Sequence, residues 1–213
     1  MRLSALLLGA VLTLSGAATA AEEATLAARH AYRIEHAVFG ELGEHVMTIR
    51  RHGEDVEIEH TAELAVRVLG ITMFTRSTRF RELWREGRLI VFDGRTIDND
   101  EPFEVRGRAE GDSFVIEGSA GRVEAPAEVA PSEPSLIGAI EREWFFDIKT
   151  GELLRAEVRR AGTETLALAR GAIEAVKYEV RGELEQDVWF DEAGVWVRWR
   201  LWRQGAAITL TRK

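Results

Sequence analysis

The chain has 213 residues, with 28 Lys and Arg against 36 Asp and Glu, a formal net charge of −8 and no cysteine. This acidic balance argues against nucleic acid or an anionic membrane surface as the main partner, because both attract basic proteins. The length fits one domain that can bury enough apolar surface to be stable without disulfides.

Residues 1–20 have the pattern of a secretory signal peptide. Arg2 gives a positive start, residues 3–16 form an apolar run, and Ala18-Thr19-Ala20 is a small-residue cleavage site. The apolar run is too short to span a bilayer as a helix. We therefore expect export to the periplasm, cleavage after Ala20 and no transmembrane segment in the mature chain.

Residues 21–30 are predicted to be a flexible mature N-terminus, followed by a single β-rich domain over 31–213. Alternating apolar and polar runs separated by glycine turns predict a first set of strands at 31–38, 44–52, 55–68, 71–84, 88–93, 102–108, 113–118 and 121–125. A Pro-rich crossing loop is predicted at 126–134, because proline cannot donate a hydrogen bond to a sheet. Ser135 is then expected to cap a short helix within 135–142.

The same pattern predicts a second set of strands after this helix. These strands lie at 144–148, 152–160, 164–169, 174–182, 185–190, 195–203 and 206–212. Short turns join neighbours in this order, which favours an all-β, mainly antiparallel meander. A sheet of this many strands twists and curls, so we predict a single strongly curved sheet that forms a half-barrel or barrel.

The sequence offers few residues for catalysis. The segment EGSAG around Ser119 lacks the G-x-S-x-G spacing of a nucleophile elbow and is predicted to be a turn. The acidic segment 93–101 lacks the spacing of a calcium-binding loop, and a hairpin turn is predicted at 98–100. An enzyme is the least favoured hypothesis, and neither catalytic residues nor a cofactor are predicted.

All five histidines fall within residues 30–60. Alternation and predicted turns at 40–43 and 53–54 align His36, Met47 and His60 across three strands, with His45 diagonal to His36 and His60. His36, His45 and His60 are therefore weak metal-ligand candidates, with copper favoured over zinc. We instead predict neutral, hydrogen-bonded interior histidines that share one face and bind no metal, because the side chains that would orient them as ligands cannot be identified.

Six tryptophans are many for this length. Large aromatic residues either fill the interior of a curved sheet or line a pocket for an apolar ligand, and both uses need the same residue types. Alternation along 195–203 places Trp196 and Trp202 on one face and Trp199 on the other. The candidate ligand-lining residues are Ile34, Met47, Ile58, Trp196 and Trp202.

Three segments resemble a family of secreted Gram-negative proteins: YRIEHAVFGELGEHVMTIRR, RELWREGRLIVFDGRTIDN and YEVRGELEQDVWFDEAGVWVRWRL. A Glu-x-Trp-x-x-Gly hairpin is matched by Glu82, Trp84 and Gly87, and a late Trp-aromatic-Asp-x-x-Gly hairpin begins at Trp189. The chain is similar to domain-of-unknown-function family 6134. The resemblance implies a β-rich periplasmic protein and, since the family has no established activity, it assigns no catalytic residue.

Two functional hypotheses follow from the export signal, the strands that are apolar on both faces and the tryptophans. The favoured one is a non-catalytic periplasmic binding module whose concave face holds an apolar or amphipathic ligand, such as a lipid. The alternative is a structural or interaction protein of the cell envelope, with a filled core, no ligand and another envelope protein as partner. Interior volume separates the two, because only the binding module needs an open cavity.

Overall fold

The computed structural model describes residues 25–169, 171–203 and 205–213. The first strands are β1 (Thr25–His36), β2 (Gly40–His52), β3 (Asp55–Val68), β4 (Ile71–Arg85), β5 (Arg88–Asp98), β6 (Glu101–Glu110), β7 (Ser113–Gly118) and β8 (Gly121–Pro126). The crossing segment holds β9 (Ala130–Pro131), the helix α1 (Ile137–Ile140) and β10 (Trp144–Phe146). The chain continues with β11 (Leu153–Leu168), β12 (Gly171–Gly182), β13 (Gln186–Phe190), β14 (Trp196–Arg203) and β15 (Ala206–Arg212). Among these residues no helix is long and apolar enough to cross a membrane.

The strands form one sheet in the order β8-β7-β6-β5-β4-β3-β2-β1-β15-β14-β13-β12-β11-β10-β9. Apart from the parallel pair of β9 and β10, all neighbours are antiparallel. The first and last strands pair in the middle of the sheet, so one meander extends from each side of that pair. The edge strands β8 and β9 do not pair with each other, so the sheet stays open. The predicted curved antiparallel meander is confirmed.

The crossing segment between β8 and β11 fills the interior of the curved sheet. Phe146 of β10 lies edge-on to Phe92 of β5 at 4.9 Å and stacks near Phe114 of β7 at 6.0 Å between ring centroids. Val129 and Ala130 are buried in the same apolar core. Burial of these side chains holds the sheet in its curved form, because each one contacts strands from distant parts of the chain.

The helix forms where the sequence predicted it, but Ser135 does not cap it. The N-cap of α1 is Leu136, which makes no side-chain hydrogen bond. Ser135 lies one position earlier, and its hydroxyl is directed into the interior of the protein instead. The prediction of a capping role for Ser135 is therefore wrong, because tertiary partners take the hydroxyl.

The start of the described chain is paired rather than flexible. The expectation of a flexible N-terminus is wrong for residues 25–30, which belong to β1 and pair with β2 from Thr25↔Arg51 to His30↔Met47. Without this pairing, the far end of β2 would expose an open row of backbone hydrogen-bonding groups. Residues 21–24 and the predicted signal peptide lie outside the described part of the chain.

A β-bulge in β14 changes which tryptophans face the core. Trp189 of β13 pairs with Arg198, but the next residue of β13 pairs with Trp196, so Val197 is the extra residue. Such a bulge shifts the alternation of side chains by one position. Trp196 and Trp199 therefore both lie in the core, with ring centroids 6.2 Å apart, whereas strict alternation had placed them on opposite faces.

The ring of Phe114 lies directly over Gly107 of β6. A Cβ at this position would lie 2.4 Å from Cε1 of Phe114, which is fully buried. We expect Gly107→Ala to lower the free energy of unfolding by about 1–3 kcal/mol, because the ring has no room to withdraw. Gly138→Ala is the control, since a Cβ there meets open space on α1. Urea unfolding of both variants checks this, and equal effects would contradict it.

Candidate functional site

The histidines of β2 and β3 meet as predicted. Met47 pairs with His60, and His45 sits diagonally, so that His45 Nε2 lies 2.9 Å from His60 Nδ1. The two-residue turn at Gly53-Glu54 sets this register, because it leaves a single way to align the strands. The prediction that His45 and His60 share one face is confirmed.

His36 does not join this pair, so the three-histidine alignment is wrong. The turn between β1 and β2 lies at residues 37–39, and His36 pairs with Gly40. Its Nδ1 accepts hydrogen bonds from the backbone N–H groups of the turn. Gly43 was expected in that turn, but it lies within β2, where a Cβ would come 1.9 Å from the carbonyl oxygen of Glu63. The described residues contain no cluster of three or more His, Asp or Glu able to hold a metal ion.

A buried chain of hydrogen bonds extends from the histidine pair to the crossing segment. Ser135 Oγ lies 3.2 Å from His60 Nε2 and donates to Glu82 Oε1 over 2.6 Å. Trp84 Nε1 donates to the other oxygen of the same carboxyl group over 2.5 Å. The chain thus links β2, β3, β4 and the segment that precedes α1.

Proton positions along this chain follow from the carboxylate at its end. An ionised carboxylate only accepts, so both Ser135 and Trp84 donate to Glu82. The Ser135 oxygen then accepts from His60 Nε2, and His60 Nδ1 accepts from His45 Nε2. Every donor in this arrangement points towards Glu82.

Burial disfavours the charged forms of the side chains in this hydrogen-bonded network. Glu82 and His60 are 0% exposed and His45 is 2% exposed. Burial raises the pKa of Glu82 to about 7, although the hydrogen bonds from Ser135 and Trp84 act to lower it. Burial lowers the pKa of His45 to about 3, and burial and the neighbouring His45 lower the pKa of His60. Both rings are therefore neutral near pH 7.

The Ser135–His60–His45 geometry resembles a nucleophile with its base, but the chemistry does not fit. Ser135 is 0% exposed, so no substrate reaches its hydroxyl in this structure. While Glu82 is ionised, the hydroxyl donates its proton to Glu82 and not to His60, the residue that would have to act as the general base. No spacing in the sequence relates Ser135 to Glu82 or His60, so this chain was not predicted.

A cavity of about 400 Å³ lies between the crossing segment and both meanders. One wall carries Thr78 of β4 and Thr96 of β5, and the opposite wall carries Trp199 and Leu201 of β14. Exposed residues at its rim, including Arg203, connect it to solvent. This volume is within the range of small-molecule sites in proteins.

Gln186 of β13 presents an unpaired donor at this cavity. The side chain is 1% exposed, and its Oε1 accepts a hydrogen bond from Trp199 Nε1 over 2.8 Å. Its Nε2 is buried and has no partner among the described residues. A buried amide N–H without an acceptor costs about 1–3 kcal/mol, and none of the described residues supplies one here.

The predicted ligand-lining residues are packed rather than lining this cavity. Ile34, Met47, Ile58 and Trp196 are at most 2% exposed and belong to the main core. Trp202 lies on the other face of β14, with the guanidinium of Arg181 at 5.5 Å from its ring centroid. These five side chains do not form a groove in this structure, because the packing of the crossing segment against the sheet and the bulge in β14 were not foreseen.

Exposed apolar side chains lie at the same end of the sheet as the cavity. The antiparallel order places the β1–β2 turn, the β3–β4 turn and the start of β4 at one end, where β5 also ends. Phe39 is 46% exposed, Leu69 is 99% exposed and Met73 is 62% exposed. Exposed apolar groups of this size mark surfaces where other molecules bind.

A family model described as "Domain of unknown function (DUF6134)" matches residues 40–213. The chain belongs to the DUF6134 family. The resemblance found in the sequence is thereby confirmed. No curated protein matches the chain significantly by sequence.

This DUF6134 protein is also similar to a solved structure, a beta-barrel-like protein of domain of unknown function DUF1849 from Brucella abortus. The TM-score is 0.61 at 10% sequence identity, over 87% of this chain and 94% of that chain. At this identity the likeness concerns the fold alone.

Proposed function

We propose that this DUF6134 protein is an exported, non-catalytic binding module whose cavity holds a small amphipathic molecule. The periplasm is the proposed compartment, on the basis of the signal peptide pattern in residues 1–20. The cavity of about 400 Å³, lined by apolar side chains together with threonines, Gln186 and carboxyl groups, is the observation that carries the proposal.

The lining of the cavity supports an amphipathic rather than a purely apolar ligand. Leu154, Leu184, Trp199, Leu201 and Ile208 give it an apolar wall. Threonine hydroxyls, the Gln186 amide and carboxyl groups give it a polar one. Sites of this mixed composition use the apolar wall for affinity and a few polar groups for orientation.

Ligand binding can be tested with N-phenyl-1-naphthylamine, a neutral apolar fluorophore. We expect one site on the wild-type protein, detected as increased fluorescence on titration. Ile208→Trp should reduce the affinity by at least about 10-fold, because the larger side chain fills part of the cavity. Thr209→Trp is the matched control on the same strand, and it should leave the affinity within about 2-fold because its side chain lies on the opposite face.

The alternative of an envelope interaction protein predicts another outcome. The exposed apolar turns at one end of the sheet favour it, since they would bind another protein. Absence of probe binding to the wild-type protein, or equal binding by the Ile208 and Thr209 variants, would contradict the binding module. Recovery of one stoichiometric protein by cross-linking in cells would then support the alternative.

A further inference from the structure

The charges around the cavity are unbalanced. Five acidic and three basic side chains line it. Two of the basic groups, Arg76 and Lys149, both bond to Asp98 at 2.6–2.7 Å, which neutralises much of their charge. Asp147 accepts hydrogen bonds from two backbone N–H groups of the following turn. Glu183 accepts a hydrogen bond from the backbone N–H of Arg155 over 2.7 Å. These contacts take up two of the three cations and two of the five acids.

Three carboxylates at the cavity have no hydrogen-bonded partner among the described residues, namely those of Glu133, Glu152 and Glu185. Glu152 and Glu185 are exposed, whereas Glu133 is half-buried in the crossing segment. Arg203 is the remaining basic side chain, and it is exposed at the rim without an ion pair in the described structure. Glu133 is therefore the least solvated of the unpaired carboxyl groups.

We propose that the cavity selects amphipathic molecules with one cationic group, an ammonium or a guanidinium, which pairs with the carboxylate of Glu133. The proposal rests on the proposed binding function and specifies the class of ligand. The apolar part of the ligand lies along Trp199, Leu201 and Ile208. Such an arrangement pairs the half-buried carboxylate of Glu133 with a group of opposite charge.

Binding of the cation is linked to release of a proton. Burial raises the pKa of Glu133 to about 8; Arg76 and Arg203 lower it, and Asp147 and Glu82 raise it further. The carboxyl group is thus largely protonated at pH 7, and a bound cation shifts it to the ionised form. Affinity for a cationic ligand must then rise with pH up to about 8.

Three probes with the same octyl chain test the proposal: octylammonium, octanol and octanoate, each titrated by displacement of N-phenyl-1-naphthylamine. We expect octylammonium to bind at least about 10-fold more tightly than octanol at pH 8, and octanoate to bind most weakly, because the ion pair adds a charge-assisted hydrogen bond. Glu133→Gln should remove this preference and leave octanol within about 2-fold. Glu174→Gln, on the exposed face of β12 and outside the cavity, is the control, with less than about 2-fold effect on every probe.

Proton release gives a second measurement. Calorimetric titration of octylammonium at pH 7 in two buffers of different ionisation enthalpy should show release of a proton by the wild-type protein and none by Glu133→Gln. Equal affinities for octanol and octylammonium in the wild-type protein, or a preference that survives in Glu133→Gln, would overturn the cationic class while leaving the binding module standing. Failure of octanol itself to bind would instead count against the binding module.

Discussion

Glu82→Gln is expected to gain about 3 kcal/mol of stability relative to the wild-type protein between pH 4.5 and pH 7, the window set by the ordinary and the raised pKa of Glu82. The unfolded protein ionises this carboxyl group near its ordinary pKa, whereas the folded protein ionises it only near pH 7. Below the lower value the group is protonated in both states and contributes no penalty. As the pH rises through the window, the unfolded state ionises this group while the folded state keeps it protonated, so the free energy of unfolding of the wild-type protein falls. Above about pH 7 both states are ionised and the difference stays constant.

The amide of the variant fits the same hydrogen-bonded chain with its direction reversed. The amide oxygen accepts from Trp84, and its NH₂ group donates to Ser135. Ser135 then donates to His60 Nε2, and His60 Nδ1–H donates to His45. Glu82→Gln thus mimics the protonated residue at every pH, so its free energy of unfolding does not fall as the pH rises.

Urea unfolding across this pH range measures the difference between Glu82→Gln and the wild-type protein. Glu174→Gln on the exposed face of β12 is the control and should show a difference that does not change with pH. A constant difference for Glu82→Gln as well would mean that the buried carboxyl group titrates normally.

Trp196→Ala is expected to lower the free energy of unfolding by about 3–5 kcal/mol. The side chain is 0% exposed, and its ring stacks on that of Tyr32 with centroids 3.5 Å apart. The ring of His45 lies edge-to-face with it, with centroids 5.5 Å apart. Truncation leaves a cavity that these rings cannot refill. Trp202→Ala should cost less than about 1 kcal/mol, because that side chain is half-buried on the opposite face.

A conservative variant separates packing from hydrogen bonding at this position. The indole Nε1 of Trp196 is buried without a partner among the described residues, so Trp196→Phe should cost less than about 1.5 kcal/mol. Urea unfolding measures all three variants. If Trp196→Ala kept its stability but lost binding of N-phenyl-1-naphthylamine, Trp196 would line a ligand site after all, as the sequence pattern suggested.

The histidine region shows where sequence-based prediction succeeded and where it failed. The β2–β3 register was predicted because a two-residue turn leaves one alignment, which brought His45 and His60 together. The β1–β2 register was not predicted correctly, because Gly40 and Gly43 allow more than one turn. Which turn forms depends on the contact of Gly43 with Glu63 of β3. A contact with a third strand cannot be predicted from the residue pattern of the two strands that a turn joins.

Composition makes the protein acidic, and local patterns were enough to predict the all-β meander and most of the strands, because alternation and turn residues act between near neighbours in the chain. Long-range packing brings Ser135 to Glu82 and His60, turns Trp196 into the core through a bulge, and leaves Gln186 and Glu133 in the lining of an open cavity. These features depend on how the crossing segment packs against distant strands, and a filled core and a lined cavity are built from the same types of residue.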